Sequence, residues 1–111
     1  MSEVGARVQE IFQKMPETLN PSAAAGVDAT IQFDLGGDAA AQYNCTIANG
    51  SCTVAEGNSD APTMTVTMDA ADYVDMVDGK LDGMSAFMSG KLKIGGDMGL
   101  AMKLQSLFSG A

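Results

Sequence analysis

Between Val27 and Leu35 the chain alternates without a break. Val27, Ala29, Ile31, Phe33 and Leu35 are apolar, and Asp28, Thr30, Gln32 and Asp34 are polar. Successive side chains on a strand point to opposite faces, so this segment predicts a strand with one buried and one wet face, as in antiparallel sheets. Gly36-Gly37-Asp38 turns the chain. Asn49-Gly50 is the preferred pair for a type I′ hairpin turn. A two-residue turn there pairs Ala48 with Ser51 and Ile47 with Cys52, and it sets Tyr43, Cys45, Ile47, Cys52 and Val54 on one face. Thr63 to Met68 alternates again, with Met64, Val66 and Met68 inward. Leu92 and Ile94 alternate with Lys91 and Lys93 and complete about five strands. In this register Cys45 and Cys52 are diagonal neighbours about 7–8 Å apart. A disulfide needs Cβ atoms about 3.5–4.5 Å apart, so two free, buried thiols are expected. With no base beside them they should be inert.

The helices follow a second period. Residues 2–19 read as an amphipathic helix that Ser2 can cap, with Val4, Val8, Ile11, Phe12, Met15 and Leu19 on one face; Asn20-Pro21 closes it. Asp69 starts another, carrying Tyr73, Val74, Met76 and Val77, and Gly79 ends it. Residues 82–88 suggest a short helix with Met84, Phe87 and Met88. Gly95-Gly96 breaks the last strand, and Asp97 fits the N-cap of the final helix. Polar residues of that helix (Gly99, Lys103, Ser106, Gly110) form one narrow stripe. Met98, Leu100, Ala101, Met102, Leu104, Leu107 and Phe108 make the rest apolar. A helix lying on a sheet needs only about a 100° apolar arc. The surplus predicts a second apolar contact: another helix, a partner, or an apolar ligand. The element order gives one α+β domain over residues 1–111, with helices covering a sheet.

The chain has no histidine, which removes the commonest general base and metal ligand. Two cysteines without histidine make a poor metal set. Asp69, Asp72, Asp75 and Asp78 recur every third residue, but on a helix that spacing drifts by about 60° per step and cannot converge on one ion. Asp78 to Gly83 resembles a calcium loop only until Lys80 takes a ligand position and Ser89 the place of the bidentate glutamate. Gly95 to Gly99 lacks the lysine and hydroxyl of a phosphate loop. Two aspartates could still form a hydrolase pair, but nothing sets them in an apolar pocket. The expectation is therefore a protein that is not an enzyme, with no cofactor and no metal. Net charge is −8, which disfavours nucleic acid as a partner. Residues 1–79 hold two bases and twelve acids, whereas 80–111 hold four lysines against Asp82 and Asp97. Such a locally basic end can meet a phosphorylated head group or an anionic membrane. Glu3 and Arg7 interrupt any leader-like run and no apolar run is long enough to span a bilayer, so the expected location is the cytoplasm. Seven of the nine methionines lie between Met64 and Met102, and this side chain suits surfaces that adapt to variable partners.

Phe87 followed by Gly90-Lys91-Leu92-Lys93-Ile94, then Gly96-Asp97-Met98-Gly99-Leu100-Ala101-Met102-Lys103-Leu104, forms one ordered pattern. It extends upstream through Thr63 to Tyr73 and Asp78-Gly79-Lys80. About half the chain in this order resembles the sterol carrier protein-2-like family of non-specific lipid-transfer domains. The resemblance implies a five-stranded, mainly antiparallel sheet, helices on one face, and an apolar ligand tunnel between the layers. It implies low-selectivity binding and carriage of sterol, fatty acid, fatty acyl-CoA or phospholipid. Burial of such a ligand gains roughly 0.8 kcal/mol per CH₂. Met98, Met102 and Gln105, on one flank of the last helix, are the leading candidates for the lining. Met76, Met84, Phe87, Met88 and Ile94 follow, each able to serve equally as core. Lys91, Lys93 and Lys103 are candidates for a head group. The expected state is a monomer with transient contacts to a membrane or a lipid enzyme. The alternative is a protein-interaction module whose apolar last helix binds a second copy or another protein, with no lipid.

Overall fold

The computed structural model describes residues 3–37 and 39–107. Ser2, Asp38, Phe108 and Gly110, named above for a cap, a turn, an apolar end and a polar stripe, lie outside them, as do the side chains of Leu104, Gln105 and Ser106. Helix α1 (Glu3–Thr18) buries Val8, Ile11, Phe12 and Met15, the stripe its period requires. Asn20 does close α1, but it also opens α2 (Pro21–Ala24), accepting the backbone N–H groups of Ser22 and Ala23 on its side chain. Five strands follow: β1 (Ala29–Gly36), β2 (Ala41–Ala48), β3 (Ser51–Glu56), β4 (Met64–Asp69) and β5 (Leu92–Gly96). Helices α3 (Ala70–Val77) and α4 (Gly83–Met88) connect the last two, and α5 (Met98–Leu107) closes the described chain.

The sheet order is β3-β2-β1-β4-β5. Three pairings are antiparallel, and β1 runs parallel to β4 with Ile31 opposite Met64. The hairpin has the expected register, Ala48 with Ser51 and Ile47 with Cys52. Asn49 at φ 55° and Gly50 at φ 75° give the two left-handed residues that a type I′ turn demands. The starts of α3, α4 and α5 are each capped by a carboxylate: Asp69 accepts Ala71 N–H, Asp82 accepts Ser85 N–H, and Asp97 accepts Leu100 N–H. At Gly96 (φ 90°) the chain passes so close to β4 that an added Cβ would stand 2.5 Å from the Thr63 carbonyl oxygen.

The apolar sides of all five strands face one way, and the helices lie on that side. Phe12 centres the core. Its ring stacks on Tyr43 (centroids 4.1 Å, 9°) and on Tyr73 (5.6 Å, 13°), with Phe33 edge-on at 5.1 Å. Arg7 adds a rim contact, pairing with Asp78 at 2.6 Å and so tying α1 to the end of α3.

Burial pushes both tyrosine phenols up, Tyr43 with a further push from Glu56 and Tyr73 with one from Cys45. Phenols in the unfolded chain ionise near pH 10. The folded state therefore holds its phenol protons longer, its advantage is complete below about pH 10, and it drains away as pH rises through the folded values. Urea midpoints measured across this range should hold steady to about pH 10 and then fall. A midpoint that stays flat to higher pH would show that these rings are not closed to ionisation.

The opposite face of the sheet is not uniformly wet, as the alternation of β1 had suggested. Gln32 is 3% exposed. Its amide donates to the Gly57 carbonyl (3.1 Å), to Asn58 Oδ1 (3.1 Å) and to Asp34 Oδ1 (3.2 Å), and its carbonyl accepts Ser59 N–H at 2.6 Å. The polar loop after β3 folds back over the sheet centre and uses Gln32 as its anchor.

Candidate functional site

β5 is an edge strand, and its two neighbouring helices leave apolar surface uncovered. Leu92 is buried, but Ile94, two residues on along the same face, is only half-buried. Met76 on α3 is also half-buried against the core. On α5, Leu100 and Leu107 point inward and are closed. Met98 and Met102, one turn apart, lie on the other side of that helix and are 48% and 84% exposed. On α4, Ala86 alone is buried, whereas Met84 is 65%, Phe87 42% and Met88 80% exposed. These five are the exposed large hydrophobic residues among those described, and all fall between 84 and 102. Chance scatter would not gather them beside one edge strand.

The structure thus separates the apolar candidates into three groups: Ile94 and Met76 half-buried at the sheet, Met98 and Met102 on the outer side of α5, and Met84, Phe87 and Met88 on the outer side of α4. It also separates the lysines. Lys93 follows the alternation of β5 onto the face without helices, in line with Thr67, Asp34 and Gln42 of the next three strands. There Lys91 and Lys93 line a cleft of about 340 Å³ with Asp34 and Asp69. Lys103 is exposed on α5. Lys91 and Lys93 therefore do not share a face with Ile94. The alternation in the sequence already set the lysines and Ile94 on opposite faces, yet all three stood there as candidates for one ligand.

A second concavity, about 280 Å³, lies between α1 and β3 and is lined by Gln9, Gln13, Pro16, Tyr43 and Val54 among others. It exposes the edge of the aromatic cluster and gathers no set of reacting groups.

Cys45 and Cys52 are free and buried, in the diagonal register expected. The two thiols act on each other as hydrogen-bond partners. That bond, followed by burial, pushes Cys45 up; the same bond lowers Cys52. Among the described residues no three of the histidine, cysteine, aspartate and glutamate side chains cluster as a metal site. Of the four aspartates spaced by three, Asp69 caps the start of α3 and Asp78, just past its end, pairs with Arg7. No helix among the described residues is long and apolar enough to cross a membrane.

Comparison with known proteins matches residues 8–109 to the model of the SCP-2 sterol transfer family. Hydroxysteroid dehydrogenase-like protein 2 of Xenopus tropicalis is 36% identical over 107 residues, 96% of this chain and 26% of that protein. The chain thus spans about a quarter of the length of that relative. Sterol carrier protein domain 2 of Helicoverpa armigera superposes with a TM-score of 0.76 at 29% identity, over 90% of this chain and 84% of that one. The sec-alkylsulfatase Pisa1 from Pseudomonas sp. contains a similar unit, with a TM-score of 0.75 at 25% identity over 89% of this chain and 16% of the enzyme.

Proposed function

The chain belongs to the SCP-2 sterol transfer family, and from that premise we propose that it binds and carries lipid in the aqueous phase of the cytoplasm. The reading is of carriage without chemistry: the chain holds an apolar molecule and releases it unchanged. Ligands are sterols, fatty acids, fatty acyl-CoA or phospholipid, with little discrimination, because apolar contacts are non-directional. The lipid lies along the outer side of α5, against Met98 and Met102. The observation that carries this reading is the apolar surface of α5. Met98 and Met102 stand 48% and 84% exposed on a helix whose inner side is already filled by Leu100 and Leu107. Lys91 and Lys93 are not part of this site, because they project from the other side of the sheet. The Helicoverpa armigera relative, a sterol carrier domain by name, supports the same ligand class.

Native mass spectrometry of the purified chain, followed by solvent extraction, is the test. A stoichiometric lipid that a fluorescent fatty acid displaces is the expected result. Met102→Glu sets a carboxylate against the acyl chain and should weaken fatty-acid binding by about 100-fold, the scale of burying a polar group without a partner. A clean protein mass, with no uptake of fatty acid, sterol or acyl-CoA, would overturn the proposal. A concentration-dependent dimer abolished by Met102→Glu would then assign the same surface to protein contact.

A further inference from the structure

We propose that the outer edge of β3, together with the groove between it and α1, takes up an extended basic peptide as an added strand. β3 ends the sheet order, with β2 on one side; among the described residues no strand lies on the other. In a two-residue hairpin the residues flanking the turn, here Ala48 and Ser51, exchange both backbone bonds, and the pairs alternate from there. Ser51, Thr53 and Ala55 therefore turn their N–H and C=O groups toward β2. The Gly57 N–H, next in that series, bonds to the Gln42 carbonyl at 2.8 Å. Cys52, Val54 and Glu56 turn theirs outward, away from the sheet. Such a row of donors and acceptors specifies its occupant, another extended backbone. The opposite edge is guarded. β5 carries Lys93 and the left-handed Gly96 (φ 90°), both obstacles to strand addition. From Ser51 to Glu56 there is no lysine, no proline and no left-handed residue.

The second observation is the groove of about 280 Å³ beside that edge, lined by Gln9, Gln13, Pro16, Tyr43, Val54 and Glu56 among others. A residue directly opposite Val54 on an added strand puts its side chain on the same face as Val54, the face that carries the helices. The groove stands on that face and can receive it. Its floor is the rim of the stacked Phe12 and Tyr43 rings, which suits an apolar side chain. Its α1 wall is polar. Gln9 and Gln13 stand exposed one turn apart, and each amide can donate to and accept from an incoming chain. Main-chain bonds at an edge supply affinity, and a pocket beside the edge selects alternate side chains.

Charge narrows the occupant. Among the described residues that line the groove, Glu56 is the charged one. It is exposed and enters none of the ion pairs among the described residues. Its carboxylate adds to the push of burial on the Tyr43 phenol, so its field reaches into the groove. The bases of α1 are paired already, Arg7 with Glu10 and Asp78, and Lys14 with Glu10. Glu17 adds an exposed acid next to Pro16. The groove is therefore acidic, and a lysine or arginine on the added strand complements it. A second copy of β3 is a poorer match, because it offers no base and brings a second Glu56. The occupant is a segment of another protein, extended, with an apolar residue opposite Val54 and a basic one near Glu56. β3 and β5 are opposite edges of the sheet and α5 packs by β4 and β5, so this role is independent of lipid carriage.

The probe is selected from a displayed library of random peptides of about nine residues, within the usual strand length, on the immobilised 111-residue chain. Enriched peptides should alternate apolar residues and carry lysine or arginine. The strongest binder is then synthesised with a fluorophore and its affinity measured by anisotropy. Methylating its amide nitrogens on one set of alternate residues should lower affinity by at least about 10-fold, and on the other set should be tolerated, because one row of N–H groups faces β3 and the other faces solvent. Val54→Pro removes one outward N–H at a place where an edge strand tolerates proline, and should weaken binding to a similar degree. Glu56→Lys, at an exposed position, should weaken it by about 10-fold. Uptake of a fluorescent fatty acid should be unchanged in both variants. No peptide enriched over the bare support would overturn the proposal. So would binding that both methylation sets weaken equally, or that Glu56→Lys leaves intact. Self-association of the chain that Val54→Pro abolishes would assign the edge to a second copy instead. Peptide binding without fatty-acid uptake defeats the carrier reading alone, and the reverse pattern defeats the peptide groove alone.

Discussion

Phe12→Ala is expected to lower the unfolding free energy by about 3–5 kcal/mol, the largest stability loss available to a single side chain in this fold. Phe12 is 1% exposed and touches rings from three separate elements, Phe33 of β1, Tyr43 of β2 and Tyr73 of α3. Its removal leaves a cavity where α1 meets the sheet and ends three ring pairs at once, each contributing about 0.5–1.5 kcal/mol beyond its buried area. A domain of this kind has only about 5–15 kcal/mol in all. Urea unfolding followed by circular dichroism should place the variant close to its threshold at low denaturant. Phe12→Leu, which keeps most of the volume, should lose much less. A loss for alanine no greater than that for leucine would show that the ring contacts contribute little.

Gln32→Leu should cost about 1–3 kcal/mol, the penalty for stranding buried hydrogen-bonding groups. The Ser59 N–H loses its 2.6 Å acceptor, and the loop carrying Gly57 and Asn58 loses its donor. The Gly57 carbonyl keeps a second partner, Asn44, which limits the damage. The loop should therefore detach before the sheet melts. Limited proteolysis is the direct readout: cleavage between Gly57 and Pro62 should rise sharply while the β2–β3 hairpin resists. Equal protection of that loop in variant and wild type would show that Gln32 does not anchor it.

This glutamine marks the boundary of what the sequence makes legible. Alternation in Val27 to Leu35 located β1 and its buried side correctly, since period two is imposed by the pleat itself. It could not reveal that a loop some 25 residues later returns to cover Gln32, because that contact leaves no local signal. The same strand reads as antiparallel on both sides, yet β4 joins it in parallel; one-sided polarity reports exposure and not strand direction. Helix α2 is a single turn, too short for a period, and its cap Asn20 looked only like the end of α1. In the candidate site, the apolar excess of α5 was visible, but the side that meets the core was not. Leu100 and Leu107 fill the inside, which leaves Met98 and Met102 outside. The alternation of Leu92 and Ile94 with Lys91 and Lys93 already implied two faces.

The parallel pairing of β1 with β4 also orders events during synthesis. The chain is made from its N-terminus, and β1 finds its first partner, β2, within a few residues of its own end. Its other edge waits for residues 64–69, and the whole β2–β3 hairpin must emerge first. Until then the nascent chain presents one open edge of Ile31, Phe33 and Leu35, and β-strand edges of this composition pair readily with their like. The order β3-β2-β1-β4-β5 therefore puts its most aggregation-prone strand at the centre of the finished sheet but at the margin of the growing one. A ribosome that pauses before residue 64 prolongs that exposure, and a chaperone that holds the β1 edge shortens its consequences.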